Sequence, residues 1–359
     1  MAQATHDPFR VIETVKPAFE PAEACELARA RYGLEVEASE LVSERDQNFR
    51  LRSADGDEYV LKFANPAENP MVAAMQIRAL LHLEAYQRVH ESALRVPRVR
   101  RTLEGEPSFV HAWHGQPVTV RLVTFVPGKP LGTPSMSPAL CRNLGAGLAE
   151  LDLGLAGFDH EGADQSLLWD MKQALELRRL LPHVPDEPNR DRLRRALDDF
   201  EHDALPAFSG LRWQVIHNDL NPDNVLVDAQ DPERVAGVID FGDMCRSPLV
   251  VDVAVAASYL RAVDGNPLAA IGEFVAGYTA NNPLRREEAD LLFDLVRARL
   301  AATICILHWR RTLRPADDAY LRDAAMSGPV AETFLARLSE IPRAHARQVF
   351  RQICAGSRL

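Results

Sequence analysis

His217-Asn-Asp219-Leu-Asn-Pro-Asp-Asn224, followed by Ile239-Asp240-Phe-Gly242, decides how this chain is read. The first stretch has the spacing H-x-D-L-x-x-x-N, and the aspartate of the D-F-G comes 21 positions after Asp219 (240 − 219). Any one of these residues alone reads as part of a turn between buried strands, with His217 a satisfied core histidine. The joint spacing points to phosphoryl transfer. Asp219 is placed to accept a hydroxyl proton, and Asn224 and Asp240 to hold the Mg2+ that neutralises nucleotide phosphates. The flanks agree. Trp213–Ile216, Val225–Val227 and Val235–Ile239 are short apolar strand candidates, so Asn224 and Asp240 sit at opposite ends of an expected hairpin. Their side-chain oxygens are the hard ligands that magnesium prefers.

On these residues the chain resembles the aminoglycoside phosphotransferase and choline kinase family, protein-kinase-like enzymes that act on small molecules. Ile239-Asp-Phe-Gly-Asp-Met244 with Val251-Asp-Val-Ala-Val-Ala256 is most similar to the hydroxylysine kinase branch. The likeness runs from about Leu41 to Tyr278 and is specific only at the catalytic core. It implies a bilobal α+β protein-kinase-like fold, ATP or GTP as donor, and a small hydroxylated, amine-bearing acceptor. It also implies an aminotransferase as a partner, and an Asp252 that braces the catalytic loop together with His217. Protein kinases proper fit poorly, because residue 218 is Asn, no A-P-E follows, and an apolar helix-like segment (Leu249–Leu260) starts soon after Gly242.

Composition bounds the rest. At 359 residues the chain can bury a large core, and 47% hydrophobic with 26% charged residues is ordinary for a globular protein. A formal charge of −10 argues against nucleic-acid binding and suits a cationic acceptor. The five cysteines form no metal-ligand spacing, which fits reduced thiols in a cytoplasmic protein. No basic-then-apolar leader and no 18-residue apolar run occurs, so no membrane association is expected.

The order of elements is strands, then helices. Helices are expected over Pro21–Tyr32 and Asn69–His90, with strands over Leu34–Val42, Phe49–Ser53, Glu58–Phe63, Val96–Thr102, Pro107–Ala112 and Val118–Phe125. The Pro/Gly break Val126–Pro130 separates a nucleotide-binding N-lobe (1–127) from a catalytic and substrate-binding C-lobe (128–359). Beyond it, helices are expected over Ser137–Leu153, Leu167–Leu181, Asn189–Ala204 and from Leu249 onward.

The N-lobe offers nucleotide ligands. Lys62, mid-strand in Tyr59–Phe63, matches the phosphate-binding lysine of kinases. Alignment on the following helix places Gln76 where kinases carry the lysine's glutamate partner, with Glu68 or Glu84 as substitutes. Ser43, Gln47 and Asn48 lie in the polar loop that replaces a glycine-rich one. Arg121–Phe125 is the expected hinge strand, with Thr124 and Phe125 meeting the purine. Asp243 is read as a ligand for an acceptor ammonium or as a support of the metal site, and Trp169 as a wall of the acceptor pocket. His111 and His114 would face opposite sides of a strand and make no metal pair. Gly145-Ala-Gly147 lies in a helix and is no dinucleotide motif. Two further readings stay open: a homoserine, choline or aminoglycoside kinase, and a catalytically silent scaffold. The intact set Lys62, Asp219, Asn224 and Asp240 argues against the second.

Overall fold

Alternating apolar residues build the first half of the structure, and apolar helices the second. The computed structural model describes residues 9, 15–43, 45–132, 136–262, 264–313 and 327–356. The chain divides into two compact units, Met1–Pro127 with His160–Gln165, and Gly128–Asp159 with Ser166–Leu359. The division falls inside the Pro/Gly break, but residues 160–165 return to the first unit.

The first unit opens with helix α1 (Pro21–Tyr32) and holds a six-stranded antiparallel sheet. Its strands are β1 (Val36–Leu41), β2 (Gln47–Ser53), β3 (Glu58–Phe63), β4 (Val99–Arg100), β5 (Phe109–Trp113) and β6 (Gln116–Thr124). The sheet order is β1-β2-β3-β6-β4, with β5 also on β6. Side chains alternate between faces. Phe49, Leu51, Leu61, Phe63, Val120 and Leu122 form one core with Ala24, Ala28 and Tyr32 of α1. The intervening residues Asn48, Lys62 and Arg121 are register partners on the other face. Helix α2 (Pro70–His90) is capped by Asn69, whose Oδ1 accepts from the Met71 amide at 3.0 Å. The turn at Gly162 lies so close to α2 that a Cβ there would be 2.2 Å from the Met71 carbonyl oxygen, so only glycine fits.

One expected strand shrinks. Of Val96–Thr102 only Val99 and Arg100 pair. Pro97 has no amide to donate, and the Arg98 amide goes to the Thr124 hydroxyl at 3.0 Å.

In the second unit, α3 (Pro138–Gly154) starts at Ser137, whose Oγ accepts from Leu140 N at 3.1 Å. It crosses α6 (Ala269–Asn281) in backbone contact. A Cβ on Gly145 would be 2.0 Å from the Phe274 oxygen, and one on Gly277 would be 2.1 Å from the Arg142 oxygen. Gly145 is therefore a packing residue. The helix expected over Leu167–Leu181 is instead a 3-10 helix, Met171–His183. Its buried residues Met171, Ala174, Leu177 and Leu180 recur every third position, the period of that helix. Helix α4 (Glu187–Asp199) runs on into one π turn, Phe200–Ala204.

Three short strand pairings follow. Strand β7 (Lys129–Pro130) pairs with β9 (Val225–Val227), which forms the expected hairpin with β10 (Val235–Val238). Strand β8 (Trp213–Ile216) pairs with β11 (Cys245–Pro248), a strand the sequence did not announce. Helices α5 (Leu249–Ala257), α7 (Arg286–Leu313), α8 (Ser327–Ser339) and α9 (Arg343–Cys354) complete the unit. Among the described residues no helix is long and apolar enough to cross a membrane.

Candidate active site

Two loops meet in the second unit because the strands at both of their ends are paired. The loop 217–224 joins β8 to β9, and the D-F-G turn joins β10 to β11. Ile216 is the register partner of Cys245, and Val225 of Val238. The Ile239 amide then donates to the Asn224 carbonyl at 2.9 Å, placing the residue before Asp240 beside Asn224. Asn218 and Asp240 adopt left-handed backbone angles, φ 63° and 59°. Such φ values are uncommon outside glycine and cluster at functional loops.

Asp252 in α5 braces the first loop. It is fully buried, and its two oxygens accept from the His217 and Asn218 amides, each at 2.8 Å. Beneath it lies Asp152 of α3, also fully buried, whose Oδ2 accepts the Tyr278 hydroxyl at 2.7 Å. Burial, then the Asp252 charge, push the Asp152 carboxyl well above its usual range. Asp152 therefore keeps its proton, and its Oδ1, which has no donor facing it, can donate to Asp252. Burial holds the His217 ring below its usual pKa and neutral. Nε2 lies 3.1 Å from the Ile239 carbonyl, and Nδ1 accepts from the Asp219 amide at 3.3 Å, which assigns the ring proton to Nε2.

Asn224 is fastened to Asp219. Its Nδ2 donates to the Asp219 carbonyl at 2.9 Å and to Oδ2 at 2.8 Å, and Asn221 donates to the same Oδ2 at 3.0 Å. This leaves Asn224 Oδ1 for another partner. On the other side Arg299 Nη2 lies 3.6 Å from Asp219 Oδ1. Burial and the Asp243 charge raise the Asp219 carboxyl and Arg299 opposes them, while 22% of the side chain stays open to solvent. A partly desolvated carboxylate near a hydroxyl is suited to receive its proton. Asp240 is exposed at the turn, its Oδ1 accepting from Gly242 N at 3.2 Å. Asn224 and Asp240 are hard oxygen donors that fit a magnesium ion. No cluster of three His, Cys, Asp or Glu among the described residues could hold one alone. Phosphate oxygens and water would have to complete the shell, as is usual for magnesium.

Asn218, Asp152 and Arg299 were not legible as site residues. Asn218 Nδ2 donates to the Asp243 carbonyl at 3.1 Å, tying the two loops together where protein kinases have arginine. Asp243 itself is buried and adds to the field on Asp219. Trp169 is covered by cations: Arg299 Cζ is 4.8 Å and Arg310 Cζ 5.3 Å from its ring centre.

In the first unit the expected nucleotide ligands divide. Lys62 stands between Asn48 and Arg121 in register, and the buried Asn48 Oδ1 has no hydrogen-bond partner. Gln76 Oε1 accepts from Arg121 Nη2, a partner the sequence did not suggest. Glu84 is bound to Arg88. Gln47 exchanges two hydrogen bonds with the Phe19 backbone, at 2.7 and 2.9 Å, so it is a structural residue and no phosphate ligand. Ser43 is half-buried in the same loop. The Thr124 and Phe125 amides are spent on the Arg98 and Glu58 carbonyls, each at 2.9 Å, and cannot donate to a purine. The Phe125 ring lies under the Arg50 guanidinium at 4.3 Å.

Comparison with known proteins gives the family and the fold. Residues 37–291 match the profile of the phosphotransferase enzyme family. Hydroxylysine kinase of Mus musculus is 28% identical over 339 residues, covering 88% of this chain and 89% of that protein. Homoserine kinase of Neisseria meningitidis serogroup B is 33% identical over 175 residues, but this spans 47% of the chain and 52% of that protein. Among solved structures, amicoumacin kinase hAmiN in complex with AMP-PNP, Ca2+ and Ami superposes with a TM-score of 0.65 at 13% identity, over 90% of this chain and 95% of that one. The shared fold is protein-kinase-like, with a small β-sheet region before a largely helical one.

Proposed function

The chain belongs to the phosphotransferase enzyme family and is a kinase of small-molecule hydroxyl groups; we propose that its acceptor is a hydroxylysine-like molecule bearing both a hydroxyl and an ammonium group. The observation that carries this reading is the clustering of Asp219, Asn224 and Asp240 by two strand pairings, combined with likeness to hydroxylysine kinase over most of the chain. Asp219 orients the acceptor hydroxyl and takes its proton as the oxygen attacks the γ-phosphorus of ATP or GTP. Magnesium, when bound at Asn224 and Asp240, neutralises charge on the phosphates. Lys62, with Asn48 and Ser43 near it in sequence or register, meets the nucleotide phosphates. Asp243 receives the ammonium, since a desolvated carboxylate makes a charge-assisted hydrogen bond stronger than a neutral one. His217 and Asp252 keep Asp219 in place, and catalysis is positioning and electrostatics. A cytoplasmic location and an aminotransferase partner belong to the same reading.

The test is a screen of hydroxylated amino acids and amino alcohols with ATP and with GTP, with and without magnesium, following nucleoside diphosphate release. Magnesium-dependent turnover of 5-hydroxylysine above the other acceptors is expected. Turnover of aminoglycosides alone would overturn the acceptor assignment.

A further inference from the structure

The phosphoryl-transfer steps above use Arg299 only through its charge on Asp219 and give its neighbour Arg261 no role. Arg299 of α7 is fully buried, and it approaches Asp219 Oδ1, the oxygen opposite the one that Asn224 and Asn221 hold. Its Nη1 donates to the Trp169 carbonyl at 2.7 Å, and its Nε has no hydrogen-bond partner. Arg261, just beyond α5, lies over the Tyr259 ring at 4.9 Å. It donates to the Ser258 carbonyl and to the carbonyl and hydroxyl of Ser327, each at 2.9 Å. All three acceptors are neutral, and its buried Nη2 has no partner. Burial lowers the Arg261 pKa to about 10; Tyr259 opposes the fall and the Arg299 charge adds to it. The group is still cationic at neutral pH. Asp219 thus answers one of two neighbouring guanidiniums, and among the described residues no carboxylate pairs with the other. An unpaired, desolvated charge is costly, and an anion delivered by a ligand removes that cost.

Position says which anion. Asn224, one of the two metal donors, is bonded to Asp219 Oδ2, so phosphate belongs on that side. Arg299 lies toward Oδ1 with Trp169 against its guanidinium, and Arg261, over Tyr259, is close enough to feel the Arg299 charge; this is the side left for the acceptor. We propose that Arg261 and Arg299 receive the carboxylate of the acceptor, so that the enzyme selects hydroxy amino acids over amino alcohols that lack the acid group. A guanidinium fork matches a carboxylate in geometry and charge. This inference rests on the hydroxyl-kinase reading above and adds the acid group to the acceptor.

The experiment compares 5-hydroxylysine with its decarboxylated counterpart, 1,5-diaminopentan-2-ol, on wild type, Arg261→Gln and Arg299→Lys, with thermal melting to confirm folding. Wild type should favour the amino acid by about 10²-fold in kcat/KM, because the analogue brings no anion to the cation that Asp219 leaves unanswered. Arg261→Gln should raise KM for the amino acid by about tenfold, with kcat nearly unchanged and the diamine unaffected. Equal use of both acceptors by wild type overturns the inference and leaves the kinase reading intact. So does an equal fall in kcat on both acceptors, which would assign the arginines to the phosphoryl group. If neither compound is phosphorylated, the acceptor assignment fails. Calorimetry with serine, threonine and homoserine against ethanolamine then decides. Binding of the amino acids that Arg261→Gln weakens about tenfold or more supports the carboxylate site, and any other result overturns this inference too.

Discussion

Asn224 holds Asp219 at two points, donating to its carbonyl at 2.9 Å and to its carboxylate Oδ2 at 2.8 Å. A metal-ligand candidate and the proposed base are thereby one unit. Asp219→Asn should lower kcat by about 10²-fold or more while nucleotide affinity stays near wild type, since this side chain is proposed to meet the acceptor and not the nucleotide. Asn224→Ala should fall at least as far in kcat, because it removes a proposed metal oxygen and frees the Asp219 carboxylate that its amide holds. Steady-state kinetics beside nucleotide calorimetry checks both. Full activity of Asp219→Asn on the preferred acceptor would sink the assignment.

Asp240→Ala should abolish the magnesium dependence of nucleotide binding, since it deletes the one anionic ligand proposed for the metal. Titration with MgATP and MgGTP, and with each nucleotide in EDTA, measures this. Identical magnesium-dependent affinities for the variant and wild type would remove Asp240 from the metal site.

Asp243→Asn should raise KM for an amine-bearing acceptor more than it lowers kcat, as expected when ground-state and transition-state binding are lost together. An acceptor without the amine should respond little. A fall in kcat shared by all acceptors would instead make Asp243 a support of the metal site, reached through the field it exerts on Asp219.

Asp152 keeps a proton in the folded state that the unfolded chain releases above its ordinary pKa of about 3.9. Its raised folded pKa means that stability present below that value is lost as pH rises through the folded pKa. Asp152→Asn retains an acceptor for Tyr278 and a donor for Asp252 but has no proton to lose. The variant should therefore melt above wild type at pH 8, with the gap closing toward pH 4. Parallel melting curves across that range would show that Asp152 is not protonated.

Gly145→Ala tests the helix crossing. The added Cβ would sit 2.0 Å from the Phe274 carbonyl oxygen, so α3 and α6 must separate. A loss of about 1–3 kcal/mol is expected by chemical denaturation. An unchanged midpoint would mean that the helices do not pack this closely.

Local features of this chain were legible because their physics is local. The β9–β10 hairpin, the helix starts at Asn69 and Ser137 and the strands over Phe49–Ser53 and Glu58–Phe63 are written in neighbouring residues. The H-x-D-L-x-x-x-N and D-F-G spacings belong with them, since both loops hang from strands a few residues away. Partners distant in sequence were not legible. Gln76 read as the partner of Lys62, yet it meets Arg121, which a strand pairing sets beside that lysine. Asp152 and Arg299 looked like ordinary polar positions on helices, because nothing near them in sequence states their burial. Only the packing of α3 under α5, and of α7 behind the catalytic loop, takes water from these groups. Dehydration changes what they do: the Asp152 carboxyl keeps its proton, and the Arg299 charge bears with little screening on Asp219 and on Arg261. The sequence by itself determined the chemistry at the loop tips; the tertiary structure decided which charges stand dry around them, because desolvation depends on every element packed nearby and on no short stretch of chain.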